Sequence, residues 1–309
     1  MESKNNVTTV HILGFQNLRY YKFFLFCLLL LTFCVSIFGN VLIIMLVSYS
    51  KNLKSPMYLF LSQLSLCDIL LSIDSVPNTL DVVLKEGESI SLAGCVVQFI
   101  SFVISEGSEC LLLTVMSYDR YLAICNPLHY ASIMGDGLCL KLSIMSWTPS
   151  FIYSIVLSIS ISSLNFCGPN IIDHFFCDLA PILDLSCSDV SFIQNEATFL
   201  SIPAVVCPFL VVVISYVYIA KAIMNISSLS GRKKAFLTCS SHLTAVCLYY
   251  GTVIVAYTFL SSARSLTMKK VLTMVYAIVT PSLNPIIYSL RNKDIWEASR
   301  NIVNKMKQR

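Results

Sequence analysis

Charge is scarce in this chain. Asp, Glu, Lys and Arg together make up 12% of its 309 residues, about half the share found in a soluble domain. Hydrophobic residues supply 56%, and the mean hydropathy is +0.75. An ordinary soluble domain carries more charge than this, and a disordered chain carries less apolar surface, so both are excluded. Gly and Pro, at 10 each, are too few for low complexity. Histidine is rarer, with 4 residues, and no His/Cys group has zinc-finger spacing. HExxH, GxGxxG, Walker-loop and GxSxG motifs are all missing, so the sequence offers no enzyme chemistry. A channel filter loop is missing too, as are the repeats and even span count common in transporters. The net charge of +4 is small, its distribution matters more than its sum, and no nucleic-acid partner is expected.

What the chain has is long apolar runs. A spanning helix needs about 20 mainly apolar residues. Seven stretches qualify, roughly 23–48, 57–80, 96–119, 139–164, 197–220, 236–260 and 271–290. These predict an all-α membrane protein: a polar segment 1–22, a seven-helix domain 23–290 and a tail 291–309. Residues 1–22 contain no apolar core or small-residue cleavage site, so the first span is expected to act as an uncleaved anchor. With the N-terminus outside, 14 of the 21 basic residues fall on the inner side, the distribution that sets orientation. Asn6-Val7-Thr8 is then an extracellular glycan acceptor, with Asn6 as its site, whereas Asn225-Ile226-Ser227 is cytosolic and silent. Cys95, Cys167, Cys177 and Cys187 fall on the oxidising side and read as two disulfides, with three possible pairings. In the tail, Ile295, Trp296, Ser299, Ile302, Val303 and Met306 recur at helical spacing among cations. This predicts a short amphipathic helix on the lipid of the inner leaflet.

Polar groups inside apolar spans are costly in lipid and mark functional positions. Here they are Asp68 in span two, Glu106 and Glu109 in span three, and Asn284, followed by Pro285, in span seven. The alternative for each is an interhelical hydrogen bond that only holds the bundle together.

Five sequence blocks carry a resemblance. They are Gly39-Asn40; Pro56-Met57-Tyr58-Leu59-Phe60-Leu61 with Leu64, Ser65 and Asp68; the run MSYDRYLAICNPLHY from Met116 to Tyr130; KAFLTCSSHL from Lys234 to Leu243; and PSLNPIIYSLRNKD from Pro281 to Asp294. In this order and spacing the chain resembles the vertebrate olfactory (odorant) receptors, within the rhodopsin-like G-protein-coupled receptors, over nearly its whole length. Leu53-Lys54-Ser55 departs from the usual Leu-His before Pro-Met-Tyr, in a cytosolic loop.

The resemblance implies a plasma-membrane receptor that binds a small organic odorant and activates a heterotrimeric G protein of the stimulatory, olfactory class. It implies that Asp119 holds Arg120 at rest, with Tyr121 beside them. On activation spans three and six separate at their inner ends, Tyr216 and Tyr288 restack, and Asn284-Pro285 lets span seven deform. It implies the disulfides Cys95–Cys177 and Cys167–Cys187. It also implies a sodium ion at Asp68 and Glu109, with a hydrogen-bonded carboxyl as the alternative and no other cofactor. The run His174-Phe175-Phe176-Cys177-Asp178 resembles a metal motif, but a bonded Cys177 has no thiolate to offer.

Helical spacing selects a pocket face on four spans. It comprises Phe102, Val103, Glu106, Gly107 and Cys110 in span three; Leu200, Pro203, Ala204 and Cys207 in span five; Tyr250, Val253, Ile254 and Tyr257 in span six; and Met274 and Ala277 in span seven. Glu106 is unusual for the family, and no basic residue stands opposite it on spans five to seven. It is expected to donate a hydrogen bond as a neutral acid, to pair with a cationic ligand, or to turn down into the Asp68–Glu109 site. The competing function is a rhodopsin-like receptor for a peptide or non-odorant small molecule, or an odorant-type receptor expressed outside the nose. The N-terminus of about 22 residues fits a small buried ligand better than a peptide.

Overall fold

The computed structural model describes residues 7–15, 20–167, 169–262 and 266–307; side chains are not described at 256–262, 266, 290, 291, 293, 302, 303 and 305–307. Asn6 therefore lies outside the described residues, and Tyr257 outside the described side chains.

Seven helices are long and apolar enough to cross a membrane. They are α1 (Lys22–Tyr49), α2 (Pro56–Lys85), α3 (Leu92–Cys125), α5 (Asp136–Ser162), α7 (Ser191–Met224), α8 (Leu229–Ser262), and a seventh built from α9 (Leu266–Met274), a π turn (Val275–Val279) and α10 (Thr280–Arg291). Short helices α4 (Pro127–Ile133) and α6 (Leu179–Leu183) lie in the loops, and α11 (Lys293–Lys307) follows the bundle. Phe38, Ile159 and Phe199 are each more than two-thirds exposed, a waste of apolar surface in water and its proper use in lipid. The interior instead buries polar groups, among them Asn40, Asp68, Glu109 and Asn284.

The seventh span is interrupted by a π turn at Val275–Val279, ahead of the Asn284-Pro285 step, which lies within α10. Pro281 has no N–H to donate to the carbonyl of Ala277, so the α ladder is already broken there. The ladder widens into the π turn, where Thr280 Oγ1 donates to Val275 O over five residues at 3.2 Å. A π turn inserts one extra residue and so rotates every side chain that precedes it relative to α10.

The outer end carries a small sheet with no counterpart in the sequence reading. β1 (Thr9–Ile12) pairs antiparallel with β2 (Glu88–Ser91) and parallel with β3 (Ile171–Ile172). The strand alternates: Val10 and Ile12 are buried, and Thr9 and His11 face outward. Val10, Ile12 and Ile172 pack with Val82, Cys95, Phe99 and Cys177 into one apolar cluster. Two disulfides, Cys95–Cys177 and Cys167–Cys187, fix the long loop over this cluster. Lys270, at the outer end of span seven, is buried; it donates to Gly14 O at 2.6 Å and to the Asp173 carboxylate. The N-terminal segment, the loop and span seven are thereby tied together.

At the other end, α11 buries Ile295 and Ala298 and exposes Trp296, with Arg300 5.7 Å from the Trp296 ring centre. Tyr58 Oη donates to Asp294 Oδ2 at 2.7 Å and pins α11 to α2.

Candidate ligand cavity and inner polar core

The outer half of the bundle contains a partly open cavity of about 810 Å³, within the usual range for small-molecule sites. On α3 it is lined by Phe102, Val103, Glu106, Gly107 and Cys110. These recur at helical spacing, and the face is the one that periodicity selects. From α7 come Pro203, Ala204 and Cys207, and from α8 Val253.

Five expected lining residues are elsewhere. Tyr250 is buried behind the wall, its Oη 3.3 Å from Cys110 Sγ and its ring 5.0 Å from Phe209. Ile254 is 49% exposed, turned to the lipid side. Tyr249, with Val253, forms the true α8 stripe. Span six is apolar on all sides in this half, so periodicity alone does not fix its phase. Leu200 is half-buried and misses the lining, where its neighbours Thr198 and Ser201 stand. Met274 and Ala277 pack into a cluster with Phe175 and Ile278; Tyr276 lines the cavity in their place. The π turn accounts for that change of face.

Other lining residues were not anticipated. α5 contributes Pro149, Ser150 and Tyr153, and the outer loop contributes Asp178 and Leu179. Gly107 brings α3 and α5 into contact, since a Cβ there would meet Ser150 Oγ at 2.6 Å. Phe176, in the outer loop, packs against the lining residue Phe102 with ring centres 5.1 Å apart, and Phe102 lies 5.9 Å from Tyr276. The loop is seated by Gln98, which donates to Asp74 O at 2.7 Å and accepts from Cys177 N at 3.1 Å.

Asp178 caps α6 by accepting from Leu179 N at 2.7 Å. Its burial holds the carboxyl above the usual range, with that N–H pulling the other way. His174 is buried and stacked on Phe175 at 4.6 Å. Desolvation pushes its pKa down to about 4. With Cys177 in a disulfide and Asp178 used as a cap, the His174–Asp178 run has no free ligand set. Among the described residues no group of three or more His, Cys, Asp or Glu could hold a metal.

Below the cavity, Asn284 Nδ2 donates to both Asp68 Oδ1 and Glu109 Oε1, each at 3.0 Å. Asp68 Oδ2 is buried and has no partner among the described residues. A water-sized space of about 10 Å³ separates this group from the cavity and touches both Glu106 and Glu109. Glu106 itself stays out of the bridge, and Tyr249 Oη donates to its backbone carbonyl at 3.3 Å.

At the inner end, Asp119 Oδ2 accepts from Arg120 Nε at 3.0 Å and Nη2 at 2.5 Å, while Tyr130 Oη donates to Oδ1 at 2.7 Å. Tyr121 stacks near Tyr118 and edges onto Tyr218. Tyr216 Oη lies 2.7 Å from His242 Nδ1, and His242 Nε2 lies 3.1 Å from Leu113 O. A carbonyl can only accept, so Nε2 carries the proton and Nδ1 accepts from Tyr216. His242 was present in the KAFLTCSSHL block but was not singled out there. Tyr288 is fully buried between these groups and Asn284, its hydroxyl unpartnered among the described residues.

The family profile described as "Olfactory receptor" matches residues 26–306. This chain belongs to the olfactory receptor family. It is 45% identical over 305 residues to human Olfactory receptor 11L1, covering 98% of this chain and 95% of that one. To mouse Olfactory receptor 2B6 it is 41% identical over 295 residues, covering 96% and 94%. To human Olfactory receptor 6N1 it is 41% identical over 289 residues, covering 94% and 93%. The receptor is thus a multi-pass plasma-membrane protein that detects odorants and couples to a G protein, and it is not an enzyme.

Proposed function

We propose that this receptor binds a small, mostly apolar organic ligand in the outer cavity and drives a stimulatory, olfactory-type G protein, raising cAMP. The carrying observation is the largely apolar cavity of about 810 Å³, bordered by a disulfide-fixed loop and separated from an Arg120 that Asp119 holds. A ligand that pulls α3, α7 and α8 together around it acts on the helices that carry Arg120, Tyr216 and His242. Loss of the Tyr216–His242–Leu113 chain frees the inner end of α8 to move away from α3. Arg120, Tyr121 and Tyr288 then meet the G protein's docking segment.

The unpartnered Asp68 Oδ2 beside Glu109 fits a sodium ion, a hard cation that takes oxygen ligands, and bound there it neutralises charge beneath the ligand. Asn284 orients the two carboxyl groups. The exposed Trp296 and Arg300 of α11 suit the inner lipid surface. Asn6 is the proposed glycan site.

The test is a cAMP assay in transfected cells against a broad odorant panel, with surface delivery measured separately. A response to at least one chemical class, absent from mock-transfected cells, is expected. Silence across every class at confirmed surface expression contradicts the reading.

A further inference from the structure

Among the described residues the cavity holds two acids and no base. Glu106 on α3 and Asp178 from the outer loop both line it. Among the described residues, no Lys, Arg or His shares that lining. Lys270, the buried cation at the outer end of span seven, is taken by Asp173 and Gly14 O. Asp178 has one oxygen committed to the Leu179 N–H. The Glu106 carboxyl receives no hydrogen bond from any described side chain, and the Asn284 bridge that joins Asp68 to Glu109 leaves it out. An unpaired carboxylate removed from water is costly unless a cation meets it. The rest of the lining is largely apolar, with Phe102, Val103, Ala204 and Val253 around Glu106.

We infer that the ligand class is an organic amine with an apolar body, its ammonium paired with Glu106 and its body lying against α7 and α8. This rests on the outer cavity being the ligand site. The negative wall at Asp178 adds to the attraction for a cation and disfavours carboxylic acids, which meet like charge on two sides. A neutral alcohol of the same length fills the same apolar space but leaves Glu106 without its counter-charge.

The experiment compares primary amines from hexylamine to decylamine with the alcohols of matching length, read as cAMP concentration–response curves at measured surface expression. The wild type is expected to respond to amines at concentrations at least about tenfold lower. Glu106→Gln keeps the shape and removes the charge; it is expected to raise amine EC50 about tenfold and to move alcohol EC50 less than about threefold. Glu106→Asp keeps the charge and retains the preference, which separates a charge effect from a folding defect. Equal potency of the two series in the wild type overturns the inference. Equal loss of both series in Glu106→Gln also overturns it and assigns Glu106 to the Asp68–Glu109 group. A wild type that answers neutral odorants but no amine refutes the amine class and leaves the cavity reading intact. Silence to amines, alcohols and a broad neutral panel refutes both.

Discussion

Asn284→Ala probes the polar core where spans two, three and seven meet. One amide nitrogen donates to Asp68 Oδ1 and Glu109 Oε1, both at 3.0 Å and both buried. Alanine removes the donor from both at once. Each buried acceptor left without its partner costs about 1–3 kcal/mol, so the pair costs about 2–6 kcal/mol. A fall in melting temperature on the order of 4–24 °C follows from about 2–4 °C per kcal/mol. The assay is heating of detergent-solubilised receptor followed by fluorescence-detected size exclusion. The reciprocal pair Asp68→Asn with Asn284→Asp keeps one amide beside two carboxyls and recovers most of the loss, since the two positions act as a unit. Repeating the melts in sodium and in choline chloride adds a second reading. Sodium stabilises the wild type but not Asp68→Asn if the ion is held there. Asn284→Ala melting within a degree or so of wild type would falsify the bridging role.

Arg120→Ala should abolish ligand-driven cAMP while surface delivery and ligand binding stay near wild type, because Arg120 lies at the inner end and its partner is Asp119. Full signalling by the mutant contradicts the assignment. Cys95→Ser and Cys177→Ser should each stop surface delivery, and the double variant should be no worse than either, because one bond joins them. Additive losses contradict a shared bond. His174 carries a pH prediction. Its native pKa lies near 4, below the unfolded value of about 6.5. The unfolded chain therefore takes up the proton first, so the contribution is fully present above pH of about 6.5 and is lost as pH falls towards about 4, at most about 3 kcal/mol. Thermal melts at pH 7 and pH 5 should show a smaller loss for His174→Gln than for wild type; identical losses contradict the burial argument.

The seven spans were legible because lipid demands long apolar runs, and the runs are there. Their ends were less so: hydropathy marks the lipid-facing stretch, whereas α3 continues to Cys125 and α7 begins at Ser191. Helix length past the bilayer is set by capping and loop packing. The outer sheet escaped notice because its strands have 4, 4 and 2 residues and pair over long sequence distances. The α3 face of the cavity was readable from spacing, with charged Glu106 and small Gly107 marking it. The α8 face was not, since apolar residues on every side hide the phase, and Tyr249 stood one step from the chosen Tyr250. Span seven failed for a different reason: the π turn shifts the register, so Tyr276 replaces Met274 and Ala277. Asp178 was visible in its motif, but only the fold carries a loop residue into the cavity.

The central claim is that ligand enters the outer cavity and acts from there on the G protein. Ala204 lines that cavity on α7, away from Arg120 and from the Asn284 bridge. Ala204→Phe fills part of the space with an apolar ring and removes no polar partner. Concentration–response curves for the strongest agonist, with surface expression measured alongside, are expected to shift by about tenfold or more or to lose their maximum. Unchanged curves for Ala204→Phe, with normal expression, would contradict the claim.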